Sequence, residues 1–172
     1  MTDLLGGRAD NQKVEWRHAE FSPCRTYRYD LERHWHEGCG KVAFIGLNPS
    51  TADETQDDPT IRRCIGFAKS WGFSGLHMLN LFAYRATDPK DMKLADDPIG
   101  PDNDRYILQV ANECIAVIAA WGTHGVYRGR DNQVKRLLPE LHCLKITKGG
   151  HPSHPLYLPK SLMFKKFNEE KP

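Results

Sequence analysis

Two peptides in this chain carry residue types suited to chemistry: Gly46-Leu47-Asn48-Pro49-Ser50 and His151-Pro152-Ser153-His154-Pro155. An asparagine side chain offers an acceptor and a donor side by side. A neutral imidazole can donate to an oxygen on which negative charge builds. An amide takes up no proton at neutral pH, so Asn48 can hold a water but cannot act as a true base. Asp57 and Asp58 are the nearby carboxylates. By position they are helix caps first, and they are also the groups able to activate water in place of Asn48. His34, His36 and Cys39, with Cys24 upstream, have metal-donor atoms. His-x-His-x-x-Cys is not a standard closed zinc site and no paired motif completes it, so no metal is expected.

The elements that must position these residues follow from hydrophobic patterning. Each peptide comes after an apolar run that reads as a buried strand: Val42-Ala43-Phe44-Ile45 within Lys41 to Leu47, and Cys143-Leu144-Lys145-Ile146. Leu76 to Leu79 is a further strand and delivers Asn80. Ile115 to Ala120 is another, ending at Trp121-Gly122-Thr123-His124. Asp57-Asp58-Pro59-Thr60 starts a helix, with proline at the first helical position. Ile61, Cys64, Ile65 and Ala68 form its apolar stripe, and Gly72 closes it. Asp102 caps a second helix with Ile107, Val110, Ala111 and Cys114 on one face, and a third spans about Asn132 to Leu138.

Strands alternating with helices imply a parallel sheet under right-handed crossovers. The expected fold is therefore a single α/β domain, a three-layer sandwich around a central four-stranded parallel sheet. Arg25 to Leu31 is expected as an N-terminal edge strand and His34 to Gly40 as a turn. Residues 1–20 read as a lead-in to a core of about 22–160. All the polar peptides then lie at one edge of the sheet, where open α/β sheets build their sites.

Composition narrows the classes. The chain has 172 residues, 40% hydrophobic and 27% charged, as befits one soluble globular domain. No apolar run approaches the roughly 20 residues of a membrane span. The N-terminus has no apolar signal core, and the five cysteines are scattered and odd in number, so a reducing, cytoplasmic setting is expected. A net charge of +2 neither demands nor excludes nucleic acid, although six lysines between Lys145 and Lys171 make that end locally basic.

With two peptides between them, the motifs resemble the uracil-DNA glycosylase superfamily in the same chain order, over roughly Lys41 to Tyr157. Gly46-Leu47-Asn48-Pro49 looks like its water-activating peptide, and Asn80 sits where it has a base-reading asparagine. Ala120-Trp121-Gly122-Thr123-His124 is similar to its Leu-Trp-Gly-Ser-His, and His151-Pro152-Ser153 matches its His-Pro-Ser loop. Asn48 combined with His-Pro-Ser is closest to the single-strand-selective monofunctional branch. Asp57 to Arg63 has no counterpart there, and the chain resembles an uncharacterised bacterial and phage family that carries this signature.

The resemblance implies hydrolysis of the N-glycosidic bond of a flipped, modified or damaged pyrimidine in DNA, without a cofactor. Asn48, His151 and Asp58 would be catalytic: Asn48 holding the water, His151 stabilising the leaving base, Asp58 supplying the carboxylate. Gly46, Leu47, Pro49, Ser50 and Asn80 would bind the base. Phe67 and Phe82 are candidates to stack on it, although aromatics at such positions are usually core. Ser153, His154, Leu156, Tyr157, Arg62, Arg85, Thr123 and His124 would contact DNA. A monomer is expected. Two alternatives stand beside this reading: a silent nucleic-acid-binding module, and a hydrolase of free or hypermodified phage nucleosides. If Asn48 only positions water, Asn48→Asp should maintain or raise the rate on small pyrimidines; if Asp57 or Asp58 is the base, the new carboxylate should repel it and depress activity.

Overall fold

A computed structural model describes residues 14–167. In chain order its strands are β1 (Trp16–Phe21), β2 (Arg28–His34), β3 (Lys41–Gly46), β4 (Gly75–Asn80), β5 (Ala116–Ala119), β6 (His142–Cys143) and β7 (Lys165–Lys166). Its helices are α1 (Pro59–Ser70), α2 (Pro89–Leu94), α3 (Asn103–Glu113) and α4 (Arg130–Leu137), with 3₁₀ segments at Thr123–Gly129 and Pro155–Tyr157.

The sheet corrects the expected one. It is seven-stranded and mixed, in the order β1-β2-β4-β3-β5-β6-β7, and not a four-stranded parallel sheet with a single edge strand. Pairings β3–β4, β3–β5 and β5–β6 are parallel, whereas β1–β2, β2–β4 and β6–β7 are antiparallel. The strand expected at the edge is interior. Residues 16–21, all but the last read as part of the lead-in, form β1 and cover it, and most of β2 is buried.

Its sequence, Arg-Tyr-Asp-Leu-Glu-Arg-His, hides this because Asp30, Glu32 and Arg33 find partners outside the strand. Arg33 Nε donates to Asp57 Oδ1 at 2.8 Å, and Lys41 Nζ to Glu32 Oε1 at 2.5 Å. Asp30 Oδ2 lies 2.8 Å from His77 Nδ1. Such paired charges are the ones an interior tolerates. Asp30, Glu32 and His77 also bring their donor atoms together, a group distinct from His34, His36 and Cys39, and the cation seated on it is the Lys41 ammonium.

Two apolar cores flank the sheet. Val42 and Phe44 of β3 pack on one side with Ile61, Cys64, Phe67 and Ala68 of α1. Ala43 and Ile45 pack on the other with Ile107 and Val110 of α3 and Val134 of α4. A strand buried on both faces reads as an unbroken apolar run, which is why Val42 to Ile45 does. The start of α1 is set locally: Asp58 accepts the Ile61 backbone N–H at 2.9 Å and Pro59 occupies the first turn. The Asp88-Pro89 pair starts α2 in the same way, a helix the sequence reading passed over.

The last expected strand, Cys143 to Ile146, is cut short. After Cys143 the chain leaves the sheet and folds into a hairpin. Thr147 N–H donates to the His151 carbonyl at 2.8 Å and Ser153 N–H to that of Lys145 at 2.8 Å. The Gly122 N–H donates to the Pro152 carbonyl at 2.9 Å, pinning this hairpin to the loop after β5. No helix among the described residues is long and apolar enough to cross a membrane.

Candidate functional site

The polar loops after β3, β4 and β5 and the hairpin after β6 surround one cavity of about 980 Å³. Backbone hydrogen bonds hold the loops together. Leu81 N–H donates to the Gly46 carbonyl, Phe82 N–H to that of Leu47 and Ala86 N–H to that of Pro49, each at 2.9 Å. Gly46, Leu47, Asn48, Ser50, Asp58, Asn80, Trp121, Thr123, His124, Ser153, His154, Leu156 and Tyr157 all line the cavity. Pro49 does not; it shapes the turn.

Asn48 is anchored by its amide nitrogen, which donates to the Ala86 carbonyl at 2.7 Å and to the Pro49 carbonyl at 3.1 Å. Both acceptors are oxygens, so the NH₂ group must face them, and Oδ1 is the acceptor left for a ligand or water. Asn80 ends β4 almost fully buried, and its Nδ2 has no partner among the described residues. Gly46 makes room for it: a Cβ there would lie 3.0 Å from Asn80 Oδ1. Trp121 is equally buried; its Nε1, unpartnered among the described residues, lies on the edge that faces Gly125.

The two histidines of the last peptide part company. His151 sits at the base of the hairpin, folded over Gly149, where an added Cβ would come within 3.2 Å of its Cδ2. It is not a lining residue; His154 is. His154 Nδ1 accepts the Leu156 N–H at 3.3 Å, so in the neutral ring Nε2 carries the proton and can donate. Burial pushes its pKa below the ordinary 6.5, against an opposing pull from the Asp58 charge.

Of the two aspartates, Asp57 is turned away into ion pairs with Arg33 at 2.8 Å and Arg17 at 2.9 Å. Asp58 caps α1 through Oδ1 and is the only carboxylate among the described residues that lines the cavity.

A family model described as a protein of unknown function (DUF1643) matches residues 28–156, from β2 to the second 3₁₀ segment. The chain belongs to that family. No curated protein and no solved structure matches it. The matched DUF1643 segment contains nearly every residue that lines the cavity, so the site belongs to the family's domain and not to the flanking segments.

Besides Pro49 and His151, four more residues expected at the site lie elsewhere in the DUF1643 fold. Phe67 and Phe82 are fully buried on opposite sides of the sheet, in the two cores, and neither can stack on a ligand. Arg85 lies over the Phe21 ring and donates to the Arg25 carbonyl at 3.2 Å. Arg62 lines a separate groove on α1 with Arg63 and Lys160. The lining residues that sequence reasoning missed include Arg28, Lys145 and Lys148. The lysines had a signal in the basic C-terminal stretch. Arg28 had none, because β2 read as an edge.

Proposed function

We propose that the cavity binds a flipped pyrimidine and that the protein hydrolyses its N-glycosidic bond in DNA, as the motif resemblance suggests. The observation that carries this reading is a buried orphan donor, Asn80 Nδ2, which has no partner among the described residues and belongs to a residue that lines the cavity. An unsatisfied buried polar group costs about 1–3 kcal/mol. The orphan needs an acceptor, and a carbonyl oxygen of a uracil-like ring is one. Asn48 Oδ1 adds an acceptor in the same cavity.

The chemistry needs a water, a base and a stabiliser for the leaving group. Asp58 takes a proton from water as the water oxygen bonds to the sugar C1′. The C1′–N bond breaks and its electron pair departs with the base. The His154 Nε2–H donates to the base oxygen on which that charge gathers, a role a neutral imidazole fills without giving up its proton. His154 takes this part in place of His151, since His154 lines the cavity.

The test is a panel of single- and double-stranded oligonucleotides carrying uracil, hydroxymethyluracil or hypoxanthine, assayed for alkali-labile abasic sites. Release of one or more pyrimidines, lost in Asp58→Asn and His154→Ala, is the expected result. Tight binding of modified or abasic strands without release over long incubation would make the protein a silent binding module. Release from free nucleosides but not from oligonucleotides would move the substrate out of DNA.

A further inference from the structure

Among the described residues three arginines are fully buried: Arg28, Arg33 and Arg130. Arg33 has the Asp57 carboxylate and the backbone carbonyls of Glu32 and Asp53. Arg130 has the Asp104 carboxylate at 2.5 Å and the Leu81 carbonyl at 2.8 Å. Neither lines the cavity. Arg28 does, and it is the one left short: Nη1 donates to the Ala52 carbonyl at 2.7 Å, and Nε has no partner among the described residues.

No carboxylate among the described residues pairs with Arg28. Asp58 is the carboxylate whose charge acts on it most strongly, but the two form no ion pair. Burial pushes its pKa down to about 10, so it is still a cation at neutral pH. Taking an ion out of water costs several kcal/mol unless a counter-charge and hydrogen bonds offset it. The protein meets that condition at Arg33 and Arg130 and leaves it unmet at Arg28, beside open space. Lys145 and Lys148 add positive charge to the same cavity.

We infer that Arg28 is a specificity residue that seats an oxyanion carried by the cavity's ligand. The planar guanidinium fork matches carboxylate and phosphate geometry. The ligand class is accordingly an anionic nucleoside: one bearing its phosphate on the sugar, or a carboxylate on the base. The nucleoside part rests on the reading of the cavity as a pyrimidine site; the anion does not.

The experiment measures binding to the full chain at low salt with three probes: deoxyuridine, deoxyuridine 5′-monophosphate and 5-carboxydeoxyuridine. A charge-assisted hydrogen bond contributes about 1.5–3 kcal/mol, so at least one anionic probe should bind about tenfold or more tightly than deoxyuridine. Whichever probe does so identifies the source of the anion. Arg28→Gln should abolish the advantage and Arg28→Lys should keep part of it, with both variants verified as folded by circular dichroism.

Equal binding of all three probes, or an advantage that survives Arg28→Gln, would overturn the inference. Inorganic phosphate and acetate serve as base-free probes. If no nucleoside binds but either ion raises the melting temperature of the parent and not of Arg28→Gln, the pyrimidine reading fails and the anion site stands. If neither nucleosides nor ions bind, both are wrong.

Discussion

The Asn48 amide nitrogen donates to the Ala86 carbonyl at 2.7 Å, and this bond decides what position 48 can be. A carboxylate there would turn an oxygen toward two carbonyl oxygens, those of Ala86 and Pro49.

Asn48→Asp should therefore be worse than the parent, the outcome expected where Asp58 is the base and the opposite of the one expected where Asn48 alone positions the water. Two hydrogen bonds go and a like-charged contact replaces them. The expected loss of stability is about 1–3 kcal/mol, read from denaturant midpoints at neutral pH. Base release should fall with it. A variant as stable as the parent and faster would show that the loop rearranges to accommodate the carboxylate.

Asp57 and Asp58 should separate cleanly. Asparagine is as good an N-cap as aspartate, so Asp58→Asn keeps the start of α1 while removing the cavity's carboxylate. It should fold normally and lose about 10²-fold or more of any base release. Asp57→Asn strips the counter-charge from buried Arg33 and should destabilise by about 3–5 kcal/mol. The molecules that remain folded should keep their turnover. Paired melting curves and single-turnover assays distinguish the two, and the reverse pattern would exchange their roles.

His154 gives a pH signature. Burial holds its folded-state pKa below the ordinary 6.5, so on acidification the unfolded chain takes up this proton first. Its contribution to stability is complete above 6.5 and is lost as pH falls from there through the folded value. His142 is shifted the same way by burial. The His154 share is therefore the difference between parent and His154→Ala, measured by thermal unfolding from about pH 7.5 to about 5. His154→Ala should also lose about 10²–10³ in rate, whereas His151→Ala should not. An inactive His151→Ala and a fully active His154→Ala would restore the motif's first histidine to the role.

What was legible in the chain was local. Asp58, Pro59 and the stripe from Ile61 to Ala68 specify α1 within a dozen residues, and Val42 to Ile45 announces a strand buried on both faces. Asn48 and Asn80 followed because each stands where an apolar run stops. Sheet order was not legible, since pairing joins segments far apart, and the charged face of β2 concealed partners as distant as His77. The same limit hid Arg28, which is notable for the partners it lacks, and no sequence pattern records a missing partner. His151 and His154 share one peptide, and only the hairpin bonds from Thr147 and Ser153 decide which of them reaches the cavity.

Gly46→Ala tests whether the cavity is built around the Asn80 amide. The new methyl would lie 2.8 Å from Met78 Cε and 3.0 Å from Asn80 Oδ1. The tip of the Met78 side chain is flexible and can swing aside. Asn80 closes a strand and is buried, with its backbone carbonyl accepting from Asn103 Nδ2 at 3.0 Å, so its amide can yield only by a small shift or rotation. Overpacking at such a site costs about 1 kcal/mol, leaving a folded protein. A misplacement well under an ångström at a residue that reads a ligand is felt far more strongly in binding. The expected outcome is a melting temperature lower by a few degrees, with affinity for deoxyuridine down by about tenfold or more. Unchanged affinity in a folded Gly46→Ala protein would mean that the Asn80 amide does not touch the ligand, and the pyrimidine reading would lose its main support.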